Sequence, residues 1–176
     1  MIPNTLTIAG VDPSGGAGIL ADIKAVTPEF VAQQIDTLFA DVRIDAVKIG
    51  MLGQQAVTRR VAECLMHWRP AHIVLDPVMI AKSGDQLLEK AAINELRESL
   101  MPLATVVTPN LPEAGVLLEM APVDNLKEMR RVAEKLRRLL NDDGERWVFL
   151  KGGHLPGNDP TDILHNGDQL FELPGE

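Results

Sequence analysis

Side chains able to bind phosphate and a metal ion stand at the ends of three strand-like segments. Asp76 ends the apolar run 72–76, Asn110 and Glu113 follow the run 105–108, and Lys151 ends the run 147–151. In α/β sheets, ligands bind at the carboxyl ends of parallel strands. Carboxylate and amide oxygens suit a hydrated magnesium ion, and a lysine neutralises phosphate charge. The pattern favours a site for a magnesium-bound phosphate compound.

Each of these residues also has a purely structural interpretation. A strand-end aspartate such as Asp76 can cap a turn, and Lys151 can be a solvated lysine before a glycine turn. Asn110 and Glu113 have the three-residue spacing of a capping box, in which each side chain accepts from the other residue's backbone N–H. Taken one at a time, the residues leave both interpretations open.

A glycine-rich turn, IAGVDPSGGAG at 8–18, lies between the first strand-like run and a predicted helix. Such a turn lets backbone N–H groups approach an anion, although it can also be a simple tight connection. It lacks the Gly-Lys-Ser/Thr of a Walker A loop and the Gly-x-Gly-x-x-Gly spacing of a dinucleotide site, which disfavours a nicotinamide-dependent oxidoreductase. Asp22 lies one helical turn beyond Gly18 and could accept hydrogen bonds from a ring amine, or be an exposed helical carboxylate.

Other reactive residue types give weaker signals. Lys82 lies in the small, polar segment 80–85, which could be a mobile lid over the site or an ordinary loop. Cys64 has the helical spacing of a buried core residue, with Val61, Leu65 and Trp68 as neighbours. None of the four histidines has a partner at metal-ligand spacing, so the sequence predicts no zinc site.

Composition excludes several classes of function. A net charge of −8 opposes the phosphate-neutralising surface that nucleic-acid binding needs, and aromatic residues are only 3% of the chain. The apolar runs are far shorter than the ~20 residues of a membrane span. The N-terminus resembles no secretory signal, so we expect a cytoplasmic protein with no membrane partner.

Apolar runs without alternation recur between amphipathic stretches along the chain. Because a parallel sheet buries both faces of its strands, this pattern predicts a single α/β domain with an open, mainly parallel sheet and helices on both faces. The predicted strands are 6–10, 46–50, 72–76, 105–108 and 147–151, and the predicted helices are 54–68, 90–101, 112–120 and 125–141.

The C-terminal part predicts an antiparallel edge hairpin. The segments 162–165 and 168–172 flank Asn166 and Gly167. Asn-Gly favours a type I′ turn, because both central residues of that turn need positive φ.

The junction near residue 26 departs from the regular alternation. A helix predicted at 18–25 is followed by Thr27 as N-cap and Pro28 as first-turn proline of a second helix, to about Phe39. In a parallel sheet each helix should return the chain to a strand. We therefore predict that a segment after Ala25 is missing.

Taken together and in order, these motifs resemble the hydroxymethylpyrimidine/phosphomethylpyrimidine kinases, a family of the ribokinase-like fold. The resemblance covers essentially the whole chain. It rests on AGVDPSGGAGILADIK at 9–24, KIGML at 48–52, VLDPVM at 74–79, AKSGD at 81–85, TPNLPEA at 108–114 and KGGH at 151–154.

The resemblance implies ATP- and Mg²⁺-dependent phosphorylation of 4-amino-5-hydroxymethyl-2-methylpyrimidine and of its monophosphate, for thiamine biosynthesis, by a homodimer. It implies that Mg²⁺ is held by Asp76 and Glu113, directly or through water. The implied pyrimidine contacts are Gly10, Asp22, Gly50 and Met79, and the implied ATP and phosphate contacts are Asp76, Asn110, Glu113 and Lys151.

Two departures from the family pattern are expected to matter. The family continues its first helix into a strand and a segment with a substrate-binding glutamine, which this sequence lacks after Ala25. It also carries a Gly-Thr-Gly-Cys or Gly-Thr-Gly-Asp motif that supplies the anion hole and the base, which would lie beyond Glu176. A polypeptide without that motif is expected to be nearly inactive, because oxyanion-type donors contribute ~3 to 4 kcal/mol each.

Two alternatives remain open from the sequence. Pyridoxal kinases share parts of the pattern, so pyridoxal or pyridoxine is an alternative substrate. A non-catalytic module that binds a pyrimidine is the alternative from another class, although it gives Asp76 and Lys151 no obvious use.

Overall fold

The computed structural model describes residues 2–10, 27–79, 88–121, 123–155 and 160–175. Within these ranges, seven strands form one sheet in sequence order. Strands β1 to β5 pair in parallel, and β6 and β7 pair antiparallel at one edge. The strands are β1 (Thr5–Ile8), β2 (Ala46–Ile49), β3 (His72–Leu75), β4 (Val106–Val107), β5 (Trp147–Leu150), β6 (Thr161–His165) and β7 (Leu170–Pro174). The predicted open, mainly parallel sheet with an edge hairpin is confirmed.

In the described part of the chain, five α-helices connect the strands. They are α1 (Pro28–Asp41), α2 (Gln55–Trp68), α3 (Lys90–Glu95), α4 (Leu111–Leu118) and α5 (Leu126–Arg137). A π-helical turn at Leu96–Leu100 and a 3₁₀ turn at Met101–Leu103 extend α3, so the predicted helix 90–101 changes geometry along its length. No helix in the described ranges is long and apolar enough to cross a membrane.

Helix α1 begins as its sequence predicts. The Thr27 hydroxyl oxygen accepts from the Phe30 N–H at 3.3 Å, and Pro28 occupies the first turn, where a missing N–H costs nothing. The helix predicted at 18–25 lies outside the described residues.

The described helices form one layer on one face of the sheet. Right-handed crossovers in a sheet that grows in one direction place every helix on the same side. Strand residues on that side, such as Val47, Ile49 and Leu150, are fully buried. On the other side the Lys48 side chain is 50% exposed and Phe171 is 45% exposed.

The hairpin turn differs from the predicted type I′ turn. Only Gly167 has positive φ, at 109°, whereas a type I′ turn needs it at Asn166 as well. The Asn166 side-chain oxygen instead accepts from the N–H groups of Asp168 and Gln169 at 3.0 and 2.8 Å. The amide side chain replaces the backbone geometry that the prediction assumed.

The buried carboxylate of Glu95, the last residue of α3, is hydrogen-bonded to side chains of α2 and of the π-helical turn that follows α3. Glu95 is 9% exposed and accepts from Arg59 at 2.8 Å, from Gln55 at 3.2 Å and from the Ser99 hydroxyl at 2.6 Å. The hydrogen bonds from Arg59, then those from Ser99 and Gln55, lower the pKa of Glu95 to about 2 despite its burial. The ionised form is therefore the one that stabilises the fold.

Burial on one face of the hairpin predicts unequal costs for two substitutions. Ile163→Ala removes a fully buried side chain from β6 and should lower the free energy of unfolding by about 3 kcal/mol. Phe171→Ala, on the exposed face of β7, should cost about 1 kcal/mol or less. Urea unfolding followed by circular dichroism measures both. Equal losses would contradict the one-sided burial.

Glu95→Gln should lower the free energy of unfolding at pH 7 by about 1 to 2 kcal/mol, because it weakens a hydrogen-bonded charge pair whose Arg59 partner remains half-exposed. The folded-state pKa of Glu95 lies below its ordinary value of 4.5. Its contribution is thus full above pH 4.5 and is lost as the pH falls towards 2. Chemical unfolding at several pH values in this range should show that the free energy of unfolding of the variant depends less steeply on pH than that of the wild type.

Glu63→Gln is the matched control, because Glu63 pairs with Arg60 on the exposed surface of the same helix α2. It should keep wild-type stability. A Glu95→Gln variant with an unchanged pH slope would show that this carboxylate does not couple ionisation to folding.

Candidate active site

The parallel register aligns the residues that follow β1 to β5 along one edge of the sheet. Backbone hydrogen bonds continue the pairing beyond the strands: Gly50 N–H donates to Ile8 at 2.9 Å, and Asp76 N–H donates to Ile49 at 2.8 Å. Lys151 pairs with Asn110 in an isolated parallel bridge. The predicted candidates Gly10, Gly50, Asp76, Asn110 and Lys151 thus lie in order along the carboxyl edge.

The Asp76 carboxylate is the centre of a polar cluster at this edge. The Lys151 ammonium group lies 3.2 Å from its Oδ1, and the Thr108 hydroxyl donates to the same oxygen at 3.0 Å. The Lys48 ammonium group lies 3.7 Å from Oδ2. The Asp76 side chain remains 23% exposed, so a ligand can still reach it.

Asn110 and Glu113 form a complete capping box at the start of α4. The Glu113 N–H donates to the Asn110 side-chain oxygen at 2.8 Å, and the Asn110 N–H donates to Glu113 Oε2 at 2.8 Å. The structural alternative for this pair is therefore confirmed as geometry. It leaves a further role open, because each oxygen keeps a second lone pair.

Burial raises the pKa of the Glu113 carboxyl above its usual range. The residue is only 3% exposed. The N–H groups of Asn110 and Met79 and the positive charge of Lys151 favour the ionised form, and the charge of Asp76 opposes it. Glu113 is thus a desolvated carboxylate beside the Asp76 cluster.

Two other candidates, Gly10 and Met79, are closely packed within the protein. A β-carbon at Gly10 would lie 2.9 Å from the Met51 carbonyl oxygen, to which the Gly10 N–H donates, so only glycine fits. Met79 is fully buried after β3. Asp22 and Lys82 lie outside the described residues.

The turn after Lys151 is anchored to β6. The Gly152 N–H donates to the Asp162 carboxylate at 2.7 Å, and a β-carbon at Gly152 would overlap the Thr161 carbonyl oxygen. Asp162 therefore fixes the backbone from which the Lys151 side chain extends.

Sequence reasoning did not assign Lys48, Thr108 or Asp162 to the site. The signal available for Lys48 was a charged residue inside an otherwise apolar strand, and Lys48 stood in one of the motifs of the resemblance. Thr108 also stood in a motif of the resemblance, whereas Asp162 gave no comparable signal. The partners of Thr108 and Asp162 lie 32 and 10 residues away in the chain.

The donor set fits a magnesium ion bound mainly through a nucleotide. Mg²⁺ usually keeps several waters and takes one or two carboxylates together with substrate phosphates. Asp76 provides a partly exposed carboxylate, whereas the buried Glu113 accepts from backbone N–H groups and suits contact through water. The described residues contain no group of three histidine, cysteine or acidic side chains that could hold a metal ion by themselves.

Comparison with known proteins identifies the family of this chain. The family described as phosphomethylpyrimidine kinase matches residues 24–176. The hydroxymethylpyrimidine/phosphomethylpyrimidine kinase of Escherichia coli is 40% identical over 201 positions, which cover 97% of this chain and 74% of the relative. Since the chain has 176 residues, that alignment holds at least 25 positions (201 − 176) that the chain lacks.

Solved structures of two kinases share the fold of this chain. A crystal structure of phosphomethylpyrimidine kinase from Clostridium difficile 630 is 33% identical, with a TM-score of 0.85, and covers 99% of this chain and 85% of its own. An ADP complex of Bacillus subtilis pyridoxal kinase is 29% identical, also with a TM-score of 0.85, and covers 100% of this chain and 76% of its own.

The contact between the Lys151 turn and β6 predicts a glycine requirement. Gly152→Ala should lower the free energy of unfolding by about 3 kcal/mol or more, because the added methyl group overlaps the Thr161 carbonyl oxygen. Gly153→Ala is the matched control, since nothing lies within 4 Å of a β-carbon there. Thermal unfolding compares the two, and wild-type stability of Gly152→Ala would refute the close packing.

Proposed function

The chain belongs to the phosphomethylpyrimidine kinase family, and on that premise we propose that its carboxyl-edge site transfers phosphate from ATP to a hydroxymethylpyrimidine and to its monophosphate. The observation that carries the proposal is the Asp76 cluster, where Lys151 and Thr108 contact one oxygen of a partly exposed carboxylate. A kinase needs such a pairing of cationic and metal-binding groups at one point.

The proposed chemistry depends on positioning and charge. Phosphoryl transfer requires little covalent chemistry from the protein, because stabilising the transferring charge lowers most of the barrier. A magnesium ion supplies part of that charge when bound. Lys151 neutralises phosphate oxygens, Asp76 provides the carboxylate for the ion, and the Asn110–Glu113 pair holds the start of α4 against the site.

The pyrimidine is proposed to bind at the β1 and β2 end of the same edge. The backbone of Gly10, packed against the Met51 carbonyl oxygen, and that of Gly50 are proposed to border the ring, and Met79 provides a buried apolar wall. Asp22 as a ring-amine acceptor and Lys82 as a lid residue remain part of the proposal from the family resemblance.

Four further expectations from the sequence stay proposals as well. The 25 or more positions that the chain lacks within its match to the E. coli relative support a missing internal segment, and its position near residue 25 rests on the sequence pattern. The continuous sheet supports a single domain. The homodimer rests on the family resemblance, and the cytoplasmic location rests on the N-terminal sequence; sedimentation velocity would test the first.

Turnover tests the function, in a protein that extends past Glu176 and carries the anion-hole motif that the family resemblance implies. With ATP and Mg²⁺, hydroxymethylpyrimidine should stimulate ADP release more than pyridoxine does, and Asp76→Asn should reduce the rate at least ~100-fold. ADP release that pyridoxine stimulates more would favour pyridoxal-type kinase activity, in line with the likeness to the B. subtilis enzyme. Pyrimidine binding in calorimetry without ADP release would instead favour the non-catalytic module.

Glu113→Gln separates capping from catalysis. Glutamine keeps an oxygen acceptor for the Asn110 N–H and removes the cost of a buried charge, so the thermal midpoint should stay equal or rise. If the carboxylate charge serves the reaction, the turnover rate should fall at least ~10-fold. Glu113→Ala is the comparison that loses the capping contact, at about 1 kcal/mol. Full activity of Glu113→Gln would show that Glu113 caps α4 and that its charge is not needed for the reaction.

A further inference from the structure

Lys48 contacts the candidate site from a strand otherwise made of apolar residues. Its ammonium group lies 3.7 Å from Asp76 Oδ2, while Lys151 and Thr108 occupy Oδ1. Both carboxylate oxygens thus have a polar neighbour, and two of the three neighbours carry positive charge.

The two ammonium groups hold Asp76 unequally. Lys151 lies at 3.2 Å with a side chain 38% exposed, and Lys48 lies at 3.7 Å with a side chain 50% exposed. A more distant and more hydrated ion pair is the weaker one, because water screens the attraction and the long side chain gains freedom on release. Lys48 is therefore the partner that Asp76 can exchange more readily.

We propose that Lys48 is a tethered counter-ion of Asp76, a positioning residue whose ammonium group holds Oδ2 until a divalent cation displaces it. The inference rests on the proposed function, because it takes Asp76 as the carboxylate that meets the ion. It assigns the two lysines different tasks: Lys151 stays with the phosphates, and Lys48 keeps the carboxylate paired and oriented before the ion arrives.

The proposal makes Lys48 a competitor of the metal ion. A cation that binds Asp76 must displace the Lys48 ammonium group, and an exposed pair of this kind contributes up to about 1 kcal/mol. Removing the competing charge should therefore tighten divalent-ion binding by up to about fivefold. An ordinary supporting lysine would give no such gain.

Direct Mn²⁺ binding tests the inference without turnover. Free Mn²⁺, measured by electron paramagnetic resonance in titrations of the full chain with one equivalent of ADP and compared with ADP alone, gives the dissociation constant. Lys48→Met should lower it about threefold to fivefold, whereas Lys48→Arg, which keeps the charge, should stay within twofold of wild type. Lys135→Met, on the exposed face of α5, removes an equal charge far from the site and should also stay within twofold.

A second substitution locates the effect at Asp76. In an Asp76→Asn background, Lys48→Met should no longer tighten Mn²⁺ binding, because the competing contact is already gone. A gain that persists in that background, or an equal gain from Lys135→Met, would overturn the inference in favour of a general charge effect. Unchanged Mn²⁺ affinity of a folded Lys48→Met protein, checked by circular dichroism, would overturn it as well.

Nucleotide binding separates the two lysines and the two proposals. Lys151→Met should weaken ATP binding in calorimetry, and Lys48→Met should not. Pyrimidine turnover together with an unchanged Mn²⁺ affinity of Lys48→Met would support the proposed kinase activity and refute the counter-ion role. Tighter Mn²⁺ binding by Lys48→Met without any turnover by the wild type would support the counter-ion role and refute the proposed kinase activity.

Discussion

The carboxylate of Asp76 is the group on which the rest of the site depends. A carboxylate at the end of a buried strand is costly unless charge and hydrogen bonds compensate it. Lys48 from β2, Thr108 after β4 and Lys151 after β5 supply that compensation. Because these groups come from neighbouring strands, any slip in the parallel register would separate them.

Stability and function share the start of α4. The capping box between Asn110 and Glu113 satisfies two backbone N–H groups, and it places a desolvated carboxylate beside Asp76. The same side chain can therefore be needed for folding and for charge at the site. This double use explains why spacing alone did not separate the two interpretations of Glu113.

The described helices lie on one face of the sheet, and this arrangement affects which side chains reach the carboxyl edge. Parallel sheets usually bury both faces, yet in the described ranges one face of β2 leaves Lys48 half-exposed. That exposure lets its side chain reach the carboxyl edge and contact Asp76. On the helix-covered face the strand residues are fully buried and have no room for such a charge.

The sequence by itself determined the succession of strands and helices along the chain, the start of α1 at Thr27, and the motifs that identify the family. These features are local, because caps, apolar runs and short motifs depend on neighbouring residues. Tertiary structure alone decided that Lys48 and Lys151, 28 and 75 residues from Asp76, meet one carboxylate. It also decided that an Asn166 side chain, not a type I′ backbone, closes the hairpin. Pairing across a sheet is set by strand order and register, which no local pattern encodes.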